Sequence, residues 1–238
     1  MSVGLGLAAI ASACAVTPPL LLTTEDKPPR QMMVDGKLTG ISVEKIRLLM
    51  EQAQLPYSIH MMPWARAFLI AKEQADACVF SMARTPEREA QFQWVGPLTF
   101  SNWVLYARSP IKLSKLEDAR PLRIGTYLRD ARENYLRNLG FKTDPSETNA
   151  NNIAKLMTGH IDLWAEDQDE GTRLIAEAGK TGQVVPVLTF KQVGIYLGCN
   201  PKTSAATLKI LNKTFGKLAG SGKFKEIDQR FADWQPAK

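Results

Sequence analysis

Residues 75–97 read ADACVFSMARTPEREAQFQWVGP, and the fold is decided here. The apolar run Cys78 to Met82 is the length of a buried strand, and it passes straight into a polar turn and a charged helix start. Thr85 stands where a helix N-cap belongs, with Pro86 at the first helical position and Glu87 in the first turn. Free backbone N–H groups at such a start, with the helix dipole behind them, favour an anion. Arg88, one turn further in, can add a planar fork of donors to a carboxylate. On a solvated helix face Arg88 would instead pair with Glu87 or Glu89, and spacing alone leaves both readings open.

The 238 residues suffice for one large domain or two small lobes, each with its own core. With 45% hydrophobic and 23% charged residues the composition is that of a globular chain, which excludes a disordered or fibrous one. The net charge of +6 is spread thinly, without a run of like charges, so no nucleic-acid-binding stripe is expected. The opening MSVGLGLAAIASACAVTPP has an apolar stretch as long as a signal-peptide core and too short to span a bilayer. Ala13-Cys14-Ala15 suits cleavage, giving a signal peptide over 1–15, although no Lys or Arg precedes Lys27. A lipid anchor on Cys14 and a buried N-terminal helix are the alternative readings. Cys78 and Cys199 remain after cleavage, either as a disulfide or as two separate buried thiols.

Leu20 to Thr24 reads as a short buried strand that ends at Glu25 and Asp26, and polar groups at such a strand end are where open α/β sheets bind ligands. After the turn 35–40, Ser42 is placed to cap a helix with Val43, Ile46, Leu49 and Met50 on one face. Tyr57 to Met61 is a strand and Pro63 opens a helix over Trp64 to Lys72. A second block repeats this plan: a strand Leu122 to Gly125 with exit Thr126-Tyr127, a helix Asp130 to Leu139, a helix Asn152 to Met157 and a strand Ile161 to Ala165. Helix and following strand recur at like spacing in both blocks, so two similar α/β lobes are expected. Trp103 to Arg108, then Val184 to Leu188 and Val193 to Cys199, read as strands that cross between the lobes, and two crossings make a hinge. The expected division is 16–107 for the first part of lobe 1, 108–192 for lobe 2 and 193–238 for the return to lobe 1. Helices Thr203 to Phe215 and Lys223 to Phe231 close the chain.

His60 and His160 lack metal-ligand spacing, and no Gly-x-Ser-x-Gly elbow or P-loop is present, so neither a cofactor nor a metal is expected. The combination Ser81, Ala83, Thr85 and Arg88 resembles the family 3 periplasmic solute-binding proteins, receptors for polar amino acids that feed ABC importers. In that family a strand ending Ser-x-Ser/Ala precedes a Thr-x-x-Arg turn. The string VDGKLTGISVEKI, the Pro63-Trp64-Ala65-Arg66 start and the tail from Leu211 to Trp234 carry the resemblance over nearly all of the chain after residue 15.

The resemblance implies a two-lobed, type II-like periplasmic binding fold with two crossover hinge strands. It implies that Arg88 grips the ligand's α-carboxylate, with Ser81 and Ala83 beside it and Trp64 as an apolar wall. Thr126 would add a carboxylate contact and Asp167 would take the α-ammonium; Tyr127 beside Thr126, and Glu25 at its strand end, are further ligand-binding candidates. Where the family usually has an aromatic clamp this chain has Asp26-Lys27-Pro28-Pro29-Arg30, which leaves side-chain specificity open. The family topology would also lay the strand of Cys78 beside the returning strand of Cys199, as a disulfide requires. The implied protein is a periplasmic monomer with a small-molecule ligand and ABC-transporter membrane subunits as partners. Two alternatives use the same scaffold: an enzyme resembling cyclohexadienyl dehydratase, with Glu25 or Glu166 catalytic, and a ligand-sensing partner of a membrane receptor.

Overall fold

The computed structural model describes residues 18–108, 111–232 and 234, so the expected leader, with the lipid anchor on Cys14, lies outside the described residues. The chain runs β1 (Leu20–Thr24), β2 (Met32–Val34), β3 (Lys37–Thr39), α1 (Ile41–Ala53), β4 (Tyr57–Met61), α2 (Trp64–Glu73), β5 (Ala77–Ala83), α3 (Pro86–Glu89) and β6 (Gln93–Arg108). It continues through β7 (Arg123–Tyr127), α4 (Ala131–Asn138), β8 (Lys142–Ser146), α5 (Asn149–Thr158), β9 (Leu163–Asp167), α6 (Gln168–Glu177), β10 (Val184–Cys199), α7 (Ala205–Gly220) and α8 (Lys223–Arg230).

Eight strands form one sheet in the order β4-β1-β5-β10-β6-β9-β7-β8, and β2-β3 is a separate hairpin. At each flank the pairing is parallel, β1 with β4 and β5 on one side and β7 with β8 and β9 on the other. In the middle, β6 and β10 pair antiparallel from Cys199 opposite Gln93 to Val184 opposite Arg108, so both strands run through both halves. This is the two-lobed architecture with two crossing strands. Helices cover the sheet because parallel strands are buried on both faces. In the first lobe Leu22, Ile46, Leu49, Leu197, Leu211 and Phe224 share one core. In the second, Tyr106, Ile153, Trp164 and Ile175 pack on one side and Leu105, Ile124, Leu136 and Phe141 on the other.

Several elements differ from their sequence expectation for identifiable reasons. Trp103 to Arg108 is only the end of β6, which begins at Gln93 and passes through Gly96-Pro97. The separate runs 184–188 and 193–199 are one strand, because backbone pairing with β6 carries the polar residues between them. Where these strands cross between lobes neither face is fully buried, so the apolar alternation that marks a strand is lost. Register shifts at Thr189/Lys191 and Ile195/Leu197 flank the crossing. Strand β9 starts two residues later than expected and runs to Asp167. Ser42 is not the cap of α1. The helix begins at Ile41 after Gly40, whose φ is 120° and whose missing Cβ leaves room for the Arg30 and Pro29 carbonyls. Those carbonyls accept the N–H groups of Ile41 and Ser42, which pins the loop that carries Arg30.

No helix among the described residues is long and apolar enough to cross a membrane. Cys78 faces Cys199 in the β5–β10 register, and the two form a disulfide closing a separation of 121 residues. In the chain-entropy description a loop of that length contributes about 4 to 5 kcal/mol by restricting the unfolded chain. Reduction, or the double change C78A/C199A, is expected to lower stability by about 2 to 5 kcal/mol in chemical denaturation. An unchanged denaturation midpoint would show that the bridge carries none of the fold's stability.

Candidate functional site

Four structural ends meet between the lobes: the exit of β1, the exit of β5 with α3, the start of α2, and the start of α4 from the opposite lobe. They enclose a cavity of about 30 Å³. From the first lobe Glu25, Trp64, Ser81, Ala83 and Arg88 face it, together with Lys27 and Arg30. Ser101, Trp103 and Ile195 come from the crossing strands, and Asp130, Ala131 and Arg132 from the other lobe.

Arg88 is held on every side except the cavity. Its guanidinium lies 5.4 Å from the Trp64 ring and 5.1 Å from the Phe68 ring, within cation–π range. It donates to the Ala83 carbonyl at 3.3 Å and, across the cleft, to the Arg129 carbonyl at 3.4 Å, which also accepts from Trp64 Nε1. Both acceptors are neutral. Among the described residues no carboxylate reaches Arg88 as an ion-pair partner, and burial pushes its pKa down to about 10. Thr85 does occupy the N-cap of α3, but its side chain makes no capping bond, and α3 is a single turn. Ser81 has a φ of 61°, a sparsely populated conformation inside a strand, and donates to Gln31 Oε1 at 2.8 Å.

Charged pairs bridge the lobes behind the cavity. Arg30 reaches from the β1 loop to Asp167 at 3.1 Å and Asp169 at 3.2 Å. Asp167 caps α6 by accepting the N–H groups of Asp169 and Glu170, and it also accepts from Ser101 Oγ. Burial alone would raise the Asp167 carboxyl; Arg30, Lys27 and the Ser101 hydrogen bond hold it well below the usual carboxylate range. Glu166 is fully buried between Arg132 at 2.6 Å and Lys27 at 3.4 Å. Arg132 also pairs with Asp130, at 2.9 Å.

Glu25 has no such partner. Burial pushes its carboxyl up to about 7; Lys27 opposes the rise, and Asp130, Glu166 and Glu170 add to it. Glu25 and Lys27 also form the wall between the inner cavity and a neighbouring one of about 210 Å³, lined by Asp26, Tyr127, Thr148 and Glu170.

Five of the sequence candidates, Glu25, Trp64, Ser81, Ala83 and Arg88, therefore stand around one cavity. Tyr127 faces the neighbouring cavity. Thr126 is fully buried, with its hydroxyl unpartnered and its carbonyl bonded to Asn152. Asp167 lies behind the cavity wall in the Arg30 pair rather than on the wall itself. Sequence reasoning passed over Lys27, Arg30, Ser101, Trp103, Asp130, Arg132 and Ile195. Lys27 and Arg30 were visible only as the residues replacing an aromatic clamp, and Asp130 and Arg132 only as a helix start. Among the described residues no group of His, Cys, Asp and Glu is arranged to hold a metal.

Residues 20–233 match the family model described as bacterial extracellular solute-binding proteins, family 3. No curated protein is similar enough to the chain to count as a match. Among solved structures, a histidine kinase sensor domain with similarity to periplasmic binding proteins superposes with a TM-score of 0.81 at 19% identity, covering 93% of this chain and 99% of that one. The arginine-, lysine-, histidine-binding protein ArtJ from Geobacillus stearothermophilus superposes with a TM-score of 0.76 at 16% identity, covering 92% and 97%. The GluR0 ligand-binding core from Nostoc punctiforme, in complex with L-glutamate, gives 0.74 at 18% identity, covering 91% and 100%.

The raised Glu25 pKa sets a sign for stability. Between an unfolded value near 4.5 and the folded value of about 7 the folded protein holds a proton that the unfolded chain has released, so stability falls as pH rises through that window. Glu25→Gln removes this contribution to the pH dependence and is expected to stabilise the protein at pH 8 by about 3 kcal/mol, since each pKa unit is worth about 1.4. Denaturation midpoints of both proteins at pH 5 and pH 8 test this. A variant no more stable than the parent at pH 8 contradicts it.

Proposed function

The chain belongs to the bacterial extracellular solute-binding proteins of family 3, and from that premise we propose that it captures a small carboxylate-bearing zwitterion, an amino acid or a close relative, between its lobes. It works outside the cytoplasm, in the periplasm, as a monomer that hands the ligand to the membrane subunits of an ABC importer. Its lobes divide inside the crossing strands: the first takes the chain from 16 to about Ser101 and again from 193 to 238, and the second takes 103–192, since the end of β6 packs with β9. The observation that carries this reading is Arg88: a buried guanidinium faces the cavity with two neutral carbonyls for acceptors and two aromatic rings for walls. A ligand carboxylate supplies the bidentate anion that such a fork accepts. Trp64 flattens one side, Ser81 and Ala83 offer the β5 exit, and the Arg129 turn closes from the other lobe. Thr126 and Tyr127 support the far margin.

A sensing role uses the same cleft, and the likeness to a histidine kinase sensor domain keeps it in view as the second reading. Binding is common to both; ligand uptake on reconstitution with ABC importer membrane subunits distinguishes them. For a dehydratase, burial raises both candidate acids, Glu25 to about 7 and Glu166 despite its two cationic partners. Incubation with prephenate or arogenate is expected to give no turnover.

Arg88→Met is expected to weaken binding of the amino acids that raise the melting temperature of the parent. Truncating one partner of a buried charge pair costs about 2 to 5 kcal/mol, roughly 30- to 5,000-fold in affinity. Calorimetric titration of the folded variant decides the matter, and an unchanged Kd removes Arg88 from the site.

A further inference from the structure

Asp167 has no acceptor capacity to give to a ligand. An ionised carboxylate offers about four lone-pair positions, and here Oδ1 takes the N–H groups of Asp169 at 3.1 Å and Glu170 at 3.3 Å. Oδ2 takes Arg30 Nη2 at 3.1 Å and the Ser101 hydroxyl. Asp167 is only 1% exposed and Arg30 only 7%, so water does not share this arrangement. The other acids of the cleft each already have a cationic partner, although Glu166 Oε2 is buried without a hydrogen bond among the described residues. Glu166 Oε1 accepts the Asp167 N–H at 2.8 Å and lies against both Arg132 and Lys27, so a further cation there meets two like charges. Asp130 accepts the Arg132 N–H at 2.8 Å and pairs with its side chain. Glu25 alone among the acids on the cavity wall carries no hydrogen bond or ion pair within the described residues.

We infer that Glu25, rather than Asp167, receives the cationic group of the ligand, and that Arg30–Asp167 is an interlobe latch in which the chain's own guanidinium fills the acidic position. The inference rests on the ligand-binding reading above and narrows it to ligands carrying both a carboxylate and an ammonium. Arg88 and Glu25 both belong to the first lobe, at the exits of β5 and β1. A zwitterion therefore docks on that lobe with both charges met, and the second lobe then closes through Arg30–Asp167 and through the Arg129 carbonyl on Trp64 and Arg88. The charged and titratable groups around Glu25 are Lys27 and Arg88 on its own lobe and Tyr127, Asp130, Arg132, Glu166 and Glu170 on the other. Glu166, Asp169 and Asp26 are raised as well, so the part of the pH dependence of ligand affinity that belongs to Glu25 is the part lost in Glu25→Gln.

The test is calorimetric titration of the purified protein with each of the twenty standard L-amino acids and, for each binder, with the carboxylate of the same side chain lacking the amino group. The parent is expected to prefer the amino acid at least tenfold, with the preference growing between pH 6 and pH 8. In Glu25→Gln that preference is expected to fall below about threefold and to lose its pH dependence. In Asp167→Asn and in Arg30→Gln both ligands are expected to weaken together, with the preference intact. If Glu25→Gln keeps the preference, or if Arg30→Gln selectively tightens the amino acid by freeing Asp167, the inference is overturned. A parent that binds the deamino carboxylates as well as the amino acids overturns it too, while leaving the carboxylate-binding function standing. If no amino acid and no carboxylate binds the parent, the proposed function fails, and the inference with it.

Discussion

One pair of antiparallel strands holds this protein together. β6 and β10, 16 residues each, belong to the sheets of both lobes at once. Each lobe completes its sheet with one end of the pair, so neither can separate from the other without breaking a backbone ladder. Relative movement is confined to bending where the ladder changes register. The same strands furnish the back of the site, since Ser101, Trp103 and Ile195 sit where the pair passes between lobes. At its outer end the pair is fastened to β5 by Cys78–Cys199, which ties the returning chain to the strand that leads to Arg88. The β5 exit at the cavity is thus joined covalently to a crossing strand.

Electrostatics in the cleft follow from how costly an unpaired buried charge is. Lys27, Arg30 and Arg132 are matched by Glu166, Asp167 and Asp130 in a network that spans the interface. Arg88 and Glu25 are left over. Both are displaced toward their neutral forms, Arg88 down and Glu25 up, with burial as the largest cause in each case. Two opposite groups, both displaced toward neutrality and facing one cavity without an ion-pair partner among the described residues, form a candidate functional pair.

Membership of family 3 explains the scaffold and leaves the chemistry of recognition to this chain's own residues. The solved structures it resembles include a sensor domain and amino-acid-binding proteins, at identities of 16 to 19%. At that distance the fold is shared and the side chains are not. Lys27 and Arg30 in the β1 loop pair with Glu166 and Asp167 and so occupy the acidic half of the cleft. Their placement depends on α1, whose first N–H groups hold the Pro29 and Arg30 carbonyls.

Local sequence determined the elements whose pattern is local. Leu20 to Thr24 and Tyr57 to Met61 are strands to the residue, because buried apolar runs bounded by polar turns have few other ways to satisfy their backbone. The Ser81 to Arg88 string brought three of the candidate residues, Ser81, Ala83 and Arg88, to one wall, since the order strand, turn, helix start fixes which side chains share an exit. Tertiary structure alone decided the rest. That 184–199 is one strand depends on a partner 90 residues away in the chain, at Asn102 opposite Gln192. That Cys78 meets Cys199 depends on register, which no spacing encodes. Asp167 stands where its family resemblance predicts, yet Arg30 saturates it from 137 residues earlier. Hydrogen-bond capacity is settled by which donors arrive in three dimensions, and a linear sequence states only which donors exist.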